Sequence, residues 1–427
     1  MRIAYLTGEY PRATDTFIQR EVANLRSMGV DVQTFSIRRT SDEHIVGEEQ
    51  KTERDRTFYI LPPNWINLVV AHLNLLLSSP KKYLETIKLA FTTSQPGLRG
   101  AFYQLFYFLE AGIVAHQVKQ KQIEHLHNHI VEASGTVAML AANMGNFSYS
   151  FTLHGPYIFF KPYQWRLDEK IKRALFVCCI SNYARSQGMI FAPAEKWDRM
   201  HIIHCGVDPS LFDLASHRQS GTRLLYVGRI AAAKGLPILL ESLAILKIEY
   251  PGILLTVVGD GEDRKNLEEM TAKLGLSQNV NFVGYKSQTE VRKYFQQTDV
   301  FVMSSFAEGI PVVLMEAMAA GVPVVATQIA GISELVEDGI SGYLVPPGDS
   351  NILTIRIAEL LKDCELRAKF GTAGRTKVEK DFNIQHEAAR LYKLMNSALQ
   401  NNDESIRPDY DEKQVHLTKS ETIITSR

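Results

Sequence analysis

Short apolar runs that alternate with helical segments constrain the fold of this chain more than any other feature of its sequence. In the second half, such runs recur between segments of helical spacing, and each is followed by glycine, serine or threonine. The runs are Leu224–Val227, Ile253–Val258, Val280–Val283, Val300–Met303 and Val322–Ala326. Strands that are apolar on both faces are typical of a parallel sheet covered by helices on both sides. The second half therefore predicts a doubly wound α/β domain.

The first half repeats this rhythm with one long interruption. Its predicted strands are Ile3–Thr7, Asp31–Ile37, Ile123–His127, Tyr149–Leu153 and Phe176–Ile180. Residues 41–57 are charged, and we expect a loop there. Residues 60–122 carry apolar and aromatic side chains at helical spacing and predict a helical insertion. Two interpretations of the insertion stay open: helices packed on the sheet as part of the core, or a membrane-docking face or acceptor-site cover.

Length and charge bound the organisation of the chain. A chain of 427 residues exceeds one ordinary core. We expect a first domain over 1–208, a second over 209–384, a helix over 385–400 that packs back on the first domain, and a disordered polar tail over 401–427. The net charge is zero, and residues 1–205 carry 23 Lys and Arg against 18 Asp and Glu. That excess is too small for a nucleic-acid-binding protein but suits an anionic surface or substrate.

Cysteine usage and hydropathy indicate the compartment. The four cysteines form no Cys-x-x-Cys pair, so neither a disulfide framework nor a zinc site is indicated. Met1 runs directly into a strand rather than a signal peptide. The most apolar stretch, Trp65–Leu77, is too short to span a bilayer. We expect a cytoplasmic protein that is soluble or peripheral on the cytoplasmic face of the membrane.

The segment from Ser304 to Pro323, SSFAEGIPVVLMEAMAAGVP, predicts a ligand site. A strand ends at Met303, a loop carries Glu308, and Pro311 opens a helix that contains Glu316. Ligands of open α/β sheets bind at the carboxyl ends of the strands, and helix N-termini attract anions. We therefore expect both carboxylates at one cleft.

Two cations point to the same cleft from another βα loop. Arg229 follows the strand Leu224–Val227, and Lys234 precedes the next helix. A diphosphate needs fixed cations at close range, and an arginine fork with a lysine point charge suits it. Two acids for hydroxyls and two bases for a diphosphate indicate a nucleotide sugar.

With these residues in place, the chain resembles retaining glycosyltransferases of family four, which have the two-domain GT-B fold. Glu308 and Glu316 match the E-x7-E motif of that family. The remaining segments follow in the family's order: Gly228-Arg229 with Lys234-Gly235, Val258–Gly261, Phe282–Gly284, Ala330–Glu334 and Gly339–Val345. The first loop, Gly8 to Phe17 with Gln19-Arg-Glu21, resembles the exopolysaccharide and colanic-acid subgroup. It lacks the Gly-Gly pair that many relatives place there against the donor phosphates.

The resemblance implies roles for individual residues. Glu308 contacts the donor sugar and supports positive charge at its ring, and Glu316 binds the ribose. Arg229 and Lys234 stabilise the departing diphosphate, and His154 approaches the donor sugar from the first domain. The remaining donor-binding residues are Gly284, Tyr285, Gly309, Ile310 and Pro311. On the acceptor side the loop contributes Tyr10, Pro11, Thr14 and Thr16.

The implied reaction is hexosyl transfer with retention of configuration from a nucleotide sugar, UDP-linked by preference, to a glycan or lipid-linked glycan. We expect no metal and no cofactor besides this co-substrate. His125, His127 and His129 alternate as metal ligands do, but no acidic or cysteine pattern accompanies them. Two other functions stay open. One is a non-catalytic sugar-nucleotide-binding or scaffold subunit. The other is a dinucleotide oxidoreductase, suggested by Val258–Gly261, although Arg264 stands where that fingerprint needs glycine.

Overall fold

The computed structural model describes residues 1–215 and 221–400, and it consists of two parallel sheets covered by helices. The first sheet has the order β3-β2-β1-β4-β5-β6-β7, and every neighbouring pair is parallel. Its strands are β1 (Arg2–Glu9), β2 (Asp31–Arg38), β3 (Phe58–Tyr59), β4 (His125–His129), β5 (Ser148–Leu153), β6 (Val177–Cys179) and β7 (Met200–Ile202). β1 and β4 lie side by side at its centre, where the strand order switches direction.

Nine helices of the described chain accompany this sheet. They are α1 (Thr16–Ser27), α2 (Glu48–Arg56), α3 (Trp65–Ser78), α4 (Pro80–Thr92), α5 (Leu98–Gln120), α6 (Ala133–Gly145), α7 (Tyr157–Phe160), α8 (Leu167–Arg173) and α9 (Asn182–Phe191). The insertion predicted over 60–122 is the layer α3, α4 and α5. Its inner side is anchored by buried residues such as Leu75 and Phe108, so it is part of the core on that side.

The second sheet has the order β10-β9-β8-β11-β12-β13 and is also parallel throughout. Its strands are β8 (Arg223–Val227), β9 (Leu254–Val258), β10 (Val280–Gly284), β11 (Val300–Met303), β12 (Val324–Thr327) and β13 (Gly342–Val345). The accompanying helices are α10 (Leu236–Glu249), α11 (Arg264–Lys273), α12 (Gln288–Gln296), α13 (Val312–Ala319), α14 (Ile332–Leu335), α15 (Ser350–Lys362) and α16 (Cys364–Asp381).

The last helix, α17 (Ile384–Leu399), packs on the first domain. Leu391 and Met395 share a core cluster with Ile18 and Val22 of α1. The chain crosses between the domains twice at one place, because Val207 pairs with the backbone around Asn383. Residues 401–427, for which the sequence predicts disorder, lie outside the described residues.

The charged segment 41–57 corrects one prediction, because it contains helix α2 where the sequence predicted a loop. Apolar periodicity is absent there, and Gln50 is its buried residue. Charge stabilises the helix instead: Glu48 and Glu49 lie in its first turn, and Arg54 and Arg56 lie in its last. Such charges complement the helix dipole.

The boundaries of β4 also differ from the prediction. The strand covers His125–His129, so it begins and ends two residues later than predicted and includes His129. Within the described parts of the chain, no helix combines the length and apolarity needed to cross a bilayer.

Candidate functional site

The site lies where the carboxyl edges of the two sheets face each other. Strand β11 ends at Met303, the following loop carries Glu308, and Pro311 caps α13. Glu316 lies in the middle of α13. Both carboxylates are buried, at 8% and 4% exposure. The predicted pair therefore lies in the cleft and not on the surface of the second domain.

Both cations predicted for a diphosphate are paired with carboxylates. Lys234 Nζ donates to Glu308 Oε1 over 2.6 Å, so it already lies in the cleft. Arg229 instead forms a two-pronged pair with Glu262, with Nη2–Oε1 at 2.9 Å. The Arg229 and Glu262 side chains are both about half exposed. The structure thus brings Lys234 to the E-x7-E carboxylates and leaves Arg229 at the rim.

The cleft is closed between Gly309 and His154. A Cβ at Gly309 would lie 2.2 Å from the backbone oxygen of His154. Only glycine permits this approach, because any larger residue would push the domains apart. Gly331 makes a similar approach to Ser181. The first domain therefore presents the carbonyl of His154, rather than its ring, to the loop after β11.

A second contact across the cleft caps a helix. Glu334 of α14 accepts hydrogen bonds from the backbone N–H groups of Asn182 and Tyr183, over 2.8 and 2.9 Å. These amides open α9 of the first domain, where a carboxylate is favourable. A carboxylate of the second domain thus accepts hydrogen bonds from the first amides of a helix in the first domain.

Arg20 reaches the site from α1. Its Nη2 donates to Glu316 Oε1 over 2.5 Å and to Gln288 Oε1 over 2.6 Å. Both acceptors belong to the second domain, so this ion pair joins the domains at the carboxylate predicted to bind ribose.

Three alternate residues of β4 form a row of imidazoles on one face of the first sheet. The neighbouring strand β5 supplies a matching row of hydroxyls. His125 bonds Ser148 and Ser150, and His127 bonds Ser150 and Thr152, over 2.7 to 2.9 Å. Side chains of every second residue lie on the same face of a strand, which explains the match.

The row continues toward the cleft as a chain of hydrogen bonds. As a carboxylate, Glu21 accepts from Tyr5 Oη over 2.5 Å and from His129 Nε2–H over 3.1 Å. His129 Nδ1 then carries no proton, so it accepts from His154 Nε2–H over 2.9 Å. His154 Nδ1 faces the Cys205 thiol at 3.7 Å, and Phe17 packs on its ring. Both ring nitrogens of His154 therefore have partners within the first domain.

Burial keeps these imidazoles uncharged. It lowers the pKa of His125, His129 and His154 to about 3 in each case, and lowers the pKa of His127 well below its usual range. Burial also raises the pKa of Glu21, against the opposing effect of His127. The imidazole row of the first domain is thus desolvated and uncharged, because charge is costly away from water.

Glu21, His127 and His129 also form the group that could hold a metal ion among the described residues, with ligand atoms within 4.8 Å of one another. The sequence offered His125 with His127 and His129 instead. Each ring nitrogen of His127 and His129 already has a hydrogen-bond partner. A metal would have to displace these bonds.

Three predicted donor-binding residues remain. Gly284 ends β10 with φ +72°, and the exposed Tyr285 donates to Asp260 O. Ile310, two residues before α13, is buried.

On the acceptor side, the residues differ in exposure. Tyr10 is in the core, and its hydroxyl donates to Glu53. Pro11 and Thr16 are also buried, and Thr14 is exposed. Thr14 is therefore the one of these four that is open to an acceptor, and the other three support the loop from inside.

Sequence reasoning missed Arg20, Glu21, Gln288 and Glu334 as members of the site. One signal was available for the first two. They lie in the first turns of a helix that follows the central strand β1, and such turns border the ligand cleft of a doubly wound sheet. No local signal marks Gln288 or Glu334 as a contact of the first domain.

Comparison with known proteins covers both halves of the chain. Residues 215–377 match the family model described as glycosyl transferases group 1. The amylovoran biosynthesis glycosyltransferase AmsK of Erwinia amylovora is 36% identical over 208 residues, which are 46% of this chain and 50% of that protein. The putative colanic acid biosynthesis glycosyltransferase WcaL of Salmonella typhimurium is 26% identical over 421 residues, which are 92% of this chain and 99% of that protein.

Solved structures share the whole fold. Sucrose-phosphate synthase from Thermosynechococcus elongatus aligns with a TM-score of 0.73 at 20% identity, over 94% of this chain and 100% of that one. HepE of Anabaena, in complex with UDP-glucose, aligns with a TM-score of 0.72 at 18% identity, over 93% and 100%. These alignments confirm the predicted GT-B fold of two Rossmann-like domains.

Proposed function

We propose that the chain is a retaining glycosyltransferase. It would move a hexose from a nucleotide sugar to a glycan or lipid-linked glycan. The premise of this proposal is the match of residues 215–377 to the glycosyl transferases group 1 model. The observation that carries this proposal is the pairing of Lys234 with Glu308 beside Glu316, in a cleft closed by Gly309 and His154. A hydroxyl-binding acid and a phosphate-binding base then lie within one site.

The proposed reaction is a displacement on one face of the sugar. The acceptor oxygen bonds the anomeric carbon on the face from which the diphosphate leaves, and the carbon–oxygen bond to the phosphate breaks. The acceptor proton passes to the leaving phosphate. Glu308 supports positive charge on the sugar ring, and the carbonyl of His154, rather than its ring, faces the loop that holds the sugar. Lys234, the α13 N-terminus and Arg229 turned inward from the rim would stabilise the diphosphate.

We propose that this reaction needs no metal and no cofactor. Two cations and helix N-terminal amides supply the positive potential that a divalent ion would otherwise give. Full activity in excess chelator would support this. Loss of activity in chelator that Mg²⁺ or Mn²⁺ restores would contradict it, and Glu21 with His127 and His129 would then be the first candidate ligands.

The substrate class is proposed from the relatives. AmsK and WcaL are named for amylovoran and colanic acid biosynthesis, and we propose exopolysaccharide synthesis for this chain. UDP is preferred as the nucleotide on the family resemblance, and HepE, with the same fold, has been crystallised with UDP-glucose. The acceptor would enter past the loop that exposes Thr14.

A peripheral contact with the cytoplasmic face of a membrane is proposed for α3 and α5. Their outer sides expose large apolar residues, more than half exposed in the case of Trp65, Ile66, Leu77, Leu98 and Phe102. Lys81, Lys82, Lys88 and Arg99 lie on the same helical layer. Apolar side chains among basic ones suit an anionic bilayer surface.

Vesicle co-sedimentation tests this contact. Wild-type protein is expected to sediment with vesicles that contain anionic lipid and less with neutral ones. The double variant Trp65→Ser with Ile66→Ser should lose this binding. Equal sedimentation of variant and wild type would remove these helices as the contact.

The decisive experiment is nucleotide binding followed by turnover. Thermal shift and calorimetry with UDP-, GDP- and ADP-sugars, without added metal, would name the donor base. Release of nucleoside diphosphate in the presence of a lipid-linked glycan would then establish transfer. Anomeric retention would be read from the product by NMR.

A non-catalytic sugar-nucleotide-binding or scaffold subunit is the alternative. Binding without turnover across a broad acceptor panel would favour it. The intact set of Glu308, Glu316 and Lys234 in the closed cleft supports the enzyme instead.

A further inference from the structure

The guanidinium of Arg20 lies between the domains at the carboxylate that the proposed function assigns to ribose. Its Nη2 is held by Glu316 and Gln288 of the second domain. The side chains are largely buried, at 19% exposure for Arg20 and 5% for Glu316. No role in donor binding has been given to Arg20 so far.

The other terminal nitrogen of Arg20 is unsatisfied. Nη1 is buried and has no hydrogen-bond partner. A guanidinium carries five N–H donors and stays charged at any ordinary pH. A buried charged donor without an acceptor is unfavourable, and it points to an acceptor that the site receives from outside.

The two E-x7-E carboxylates are occupied in the same way. Lys234 donates to Glu308, and Arg20 donates to Glu316. A nucleotide sugar offers hydroxyl donors to both carboxylates and a diphosphate to both cations. One binding event can therefore exchange both ion pairs for ligand contacts.

We propose that Arg20 is a binding residue for the diphosphate of the nucleotide sugar. The ribose takes Glu316, and the freed guanidinium turns to the phosphate oxygens, which accept a fork of two N–H groups. This proposal rests on the proposed function and adds to it a phosphate contact from the first domain.

The first βα loop provides a reason for such a contact. It carries Pro11, and proline has no N–H to offer a phosphate. Arg20 lies one turn into the helix that follows this loop. The proposed anion contact of the first domain therefore comes from the side chain of Arg20.

Arg26 provides the matched control. It lies on the same helix with a similar side-chain exposure, 23% against 19%, but it pairs with Glu53 of its own domain over 2.5 Å. Its removal also deletes one first-domain cation, without touching Glu316.

Calorimetry with uridine and UDP tests the proposal on the full chain. Arg20→Gln is expected to weaken UDP binding by at least about tenfold, the effect of one charge-assisted contact. Uridine, which has no phosphate, should bind unchanged or more tightly, because Arg20 no longer competes for Glu316. Arg20→Lys should lose less UDP affinity than Arg20→Gln, and Arg26→Gln should match wild type. If wild type prefers guanine or adenine, GDP with guanosine or ADP with adenosine replaces UDP with uridine in this experiment.

Three outcomes would overturn the proposal. UDP affinity unchanged in Arg20→Gln removes Arg20 from the diphosphate site. If UDP and uridine both bind more tightly to Arg20→Gln, Arg20 only competes with the ribose for Glu316. If both bind more weakly by the same factor, Arg20 has a structural role. If Arg20→Gln does not fold, Arg20→Lys decides by the same UDP-to-uridine ratio. Wild type that binds no nucleotide refutes the proposed function as well, whereas a binding wild type with an unaltered variant refutes only this inference.

Discussion

At the cleft, the first domain presents a row of neutral imidazoles, and the second presents carboxylates held by cations. The imidazoles of β4 are fixed by hydroxyls of β5 and by Glu21, all on rigid strands and a helix. The charges of the second domain lie on loops and on α13 and are paired with residues that a ligand can replace.

The difference separates two tasks. Hydrogen bonds between neutral groups in a desolvated sheet set shape and are costly to break. Ion pairs at a cleft entrance can exchange partners, since each charge can find a new counter-charge on the ligand. The imidazole row therefore fixes the backbone of His154, and the ion pairs of Glu308 with Lys234 and of Glu316 with Arg20 can bind and release charge.

The largest predicted effect comes from removing a cation that can exchange its carboxylate partner for the diphosphate of the donor. Lys234→Ala is expected to lower kcat/KM by about 10²–10³, as loss of one preorganised donor does elsewhere. Arg229→Ala is expected to cost the same order, about 3–4 kcal/mol, if the rim arginine turns inward with the donor. Steady-state kinetics would measure both. Lys265→Ala, on the exposed side of α11, serves as the control, and near-normal turnover of either variant would remove that cation from the mechanism.

The next effect concerns shape rather than charge. Gly309→Ala places a Cβ against the carbonyl of His154 and should keep the cleft about 1 Å too open. Misplacement on that scale costs about 10²-fold in rate. The thermal midpoint should stay near that of wild type. Gly252→Ala, in the turn between α10 and β9, is the matched control, because nothing lies within 4 Å of a Cβ there, and a fully active Gly309→Ala enzyme would contradict the closed geometry.

Acid should destabilise the first domain specifically. The folded pKa values of His125, His129 and His154, about 3, lie below the unfolded value of about 6.5. Their stabilisation is therefore complete above pH 6.5 and falls as the pH drops toward 3, by about 1.4 kcal/mol per pH unit for each ring. Glu21 offsets part of this loss, because its raised folded pKa lets the folded state bind a proton earlier.

Urea unfolding at pH 7.5 and 5.5 would measure this slope. His125→Asn should reduce the loss of stability between these two pH values by about 1.4 kcal/mol in total, with His386→Asn on the exposed face of α17 as control. Ring ¹⁵N shifts of the wild type test the same point without a mutation. Protonated imidazoles in the folded row at pH 5 would contradict it.

The smallest effect is expected at the helix cap across the cleft. Glu334→Gln weakens the hydrogen bonds to the first amides of α9, and the free energy of unfolding should fall by about 0.5–2 kcal/mol. Urea unfolding compared with Glu241→Gln, on the exposed side of α10, would check it. No difference between the two variants would show that solvent caps α9 equally well.

The sequence predicted those parts of the fold in which apolar burial decides the structure. Strands β8 to β12 of the second sheet were predicted, since a parallel strand must be apolar on both faces. Strand β13, whose two middle residues are only half-buried, was not predicted. Helix α2 was missed because it is stabilised by its charges and by Glu53, which pairs with Arg26 of α1. Such pairs depend on tertiary neighbours that no local pattern encodes.

The candidate site divides in the same way. Glu308 and Glu316 are eight positions apart on one loop and helix, so their proximity could be predicted. The contact of Arg20 with Glu316 joins residues 296 positions apart and exists only when the domains meet. Sequence motifs likewise identified His154, but not that its carbonyl faces the cleft while its ring faces inward.

The chain leaves the first domain near Val207 and returns to it near Asn383. This return determines when the first domain can finish folding. Leu391, Met395 and Ala398 of α17 complete its core, yet they are synthesised after the whole second domain. During translation, the surface of α1 that α17 will cover must therefore stay open while the second domain emerges from the ribosome and folds. A nascent chain stalled before residue 384 would hold a complete donor-side domain beside an unfinished partner. The enzyme as proposed would then gain its activity only with the last helix.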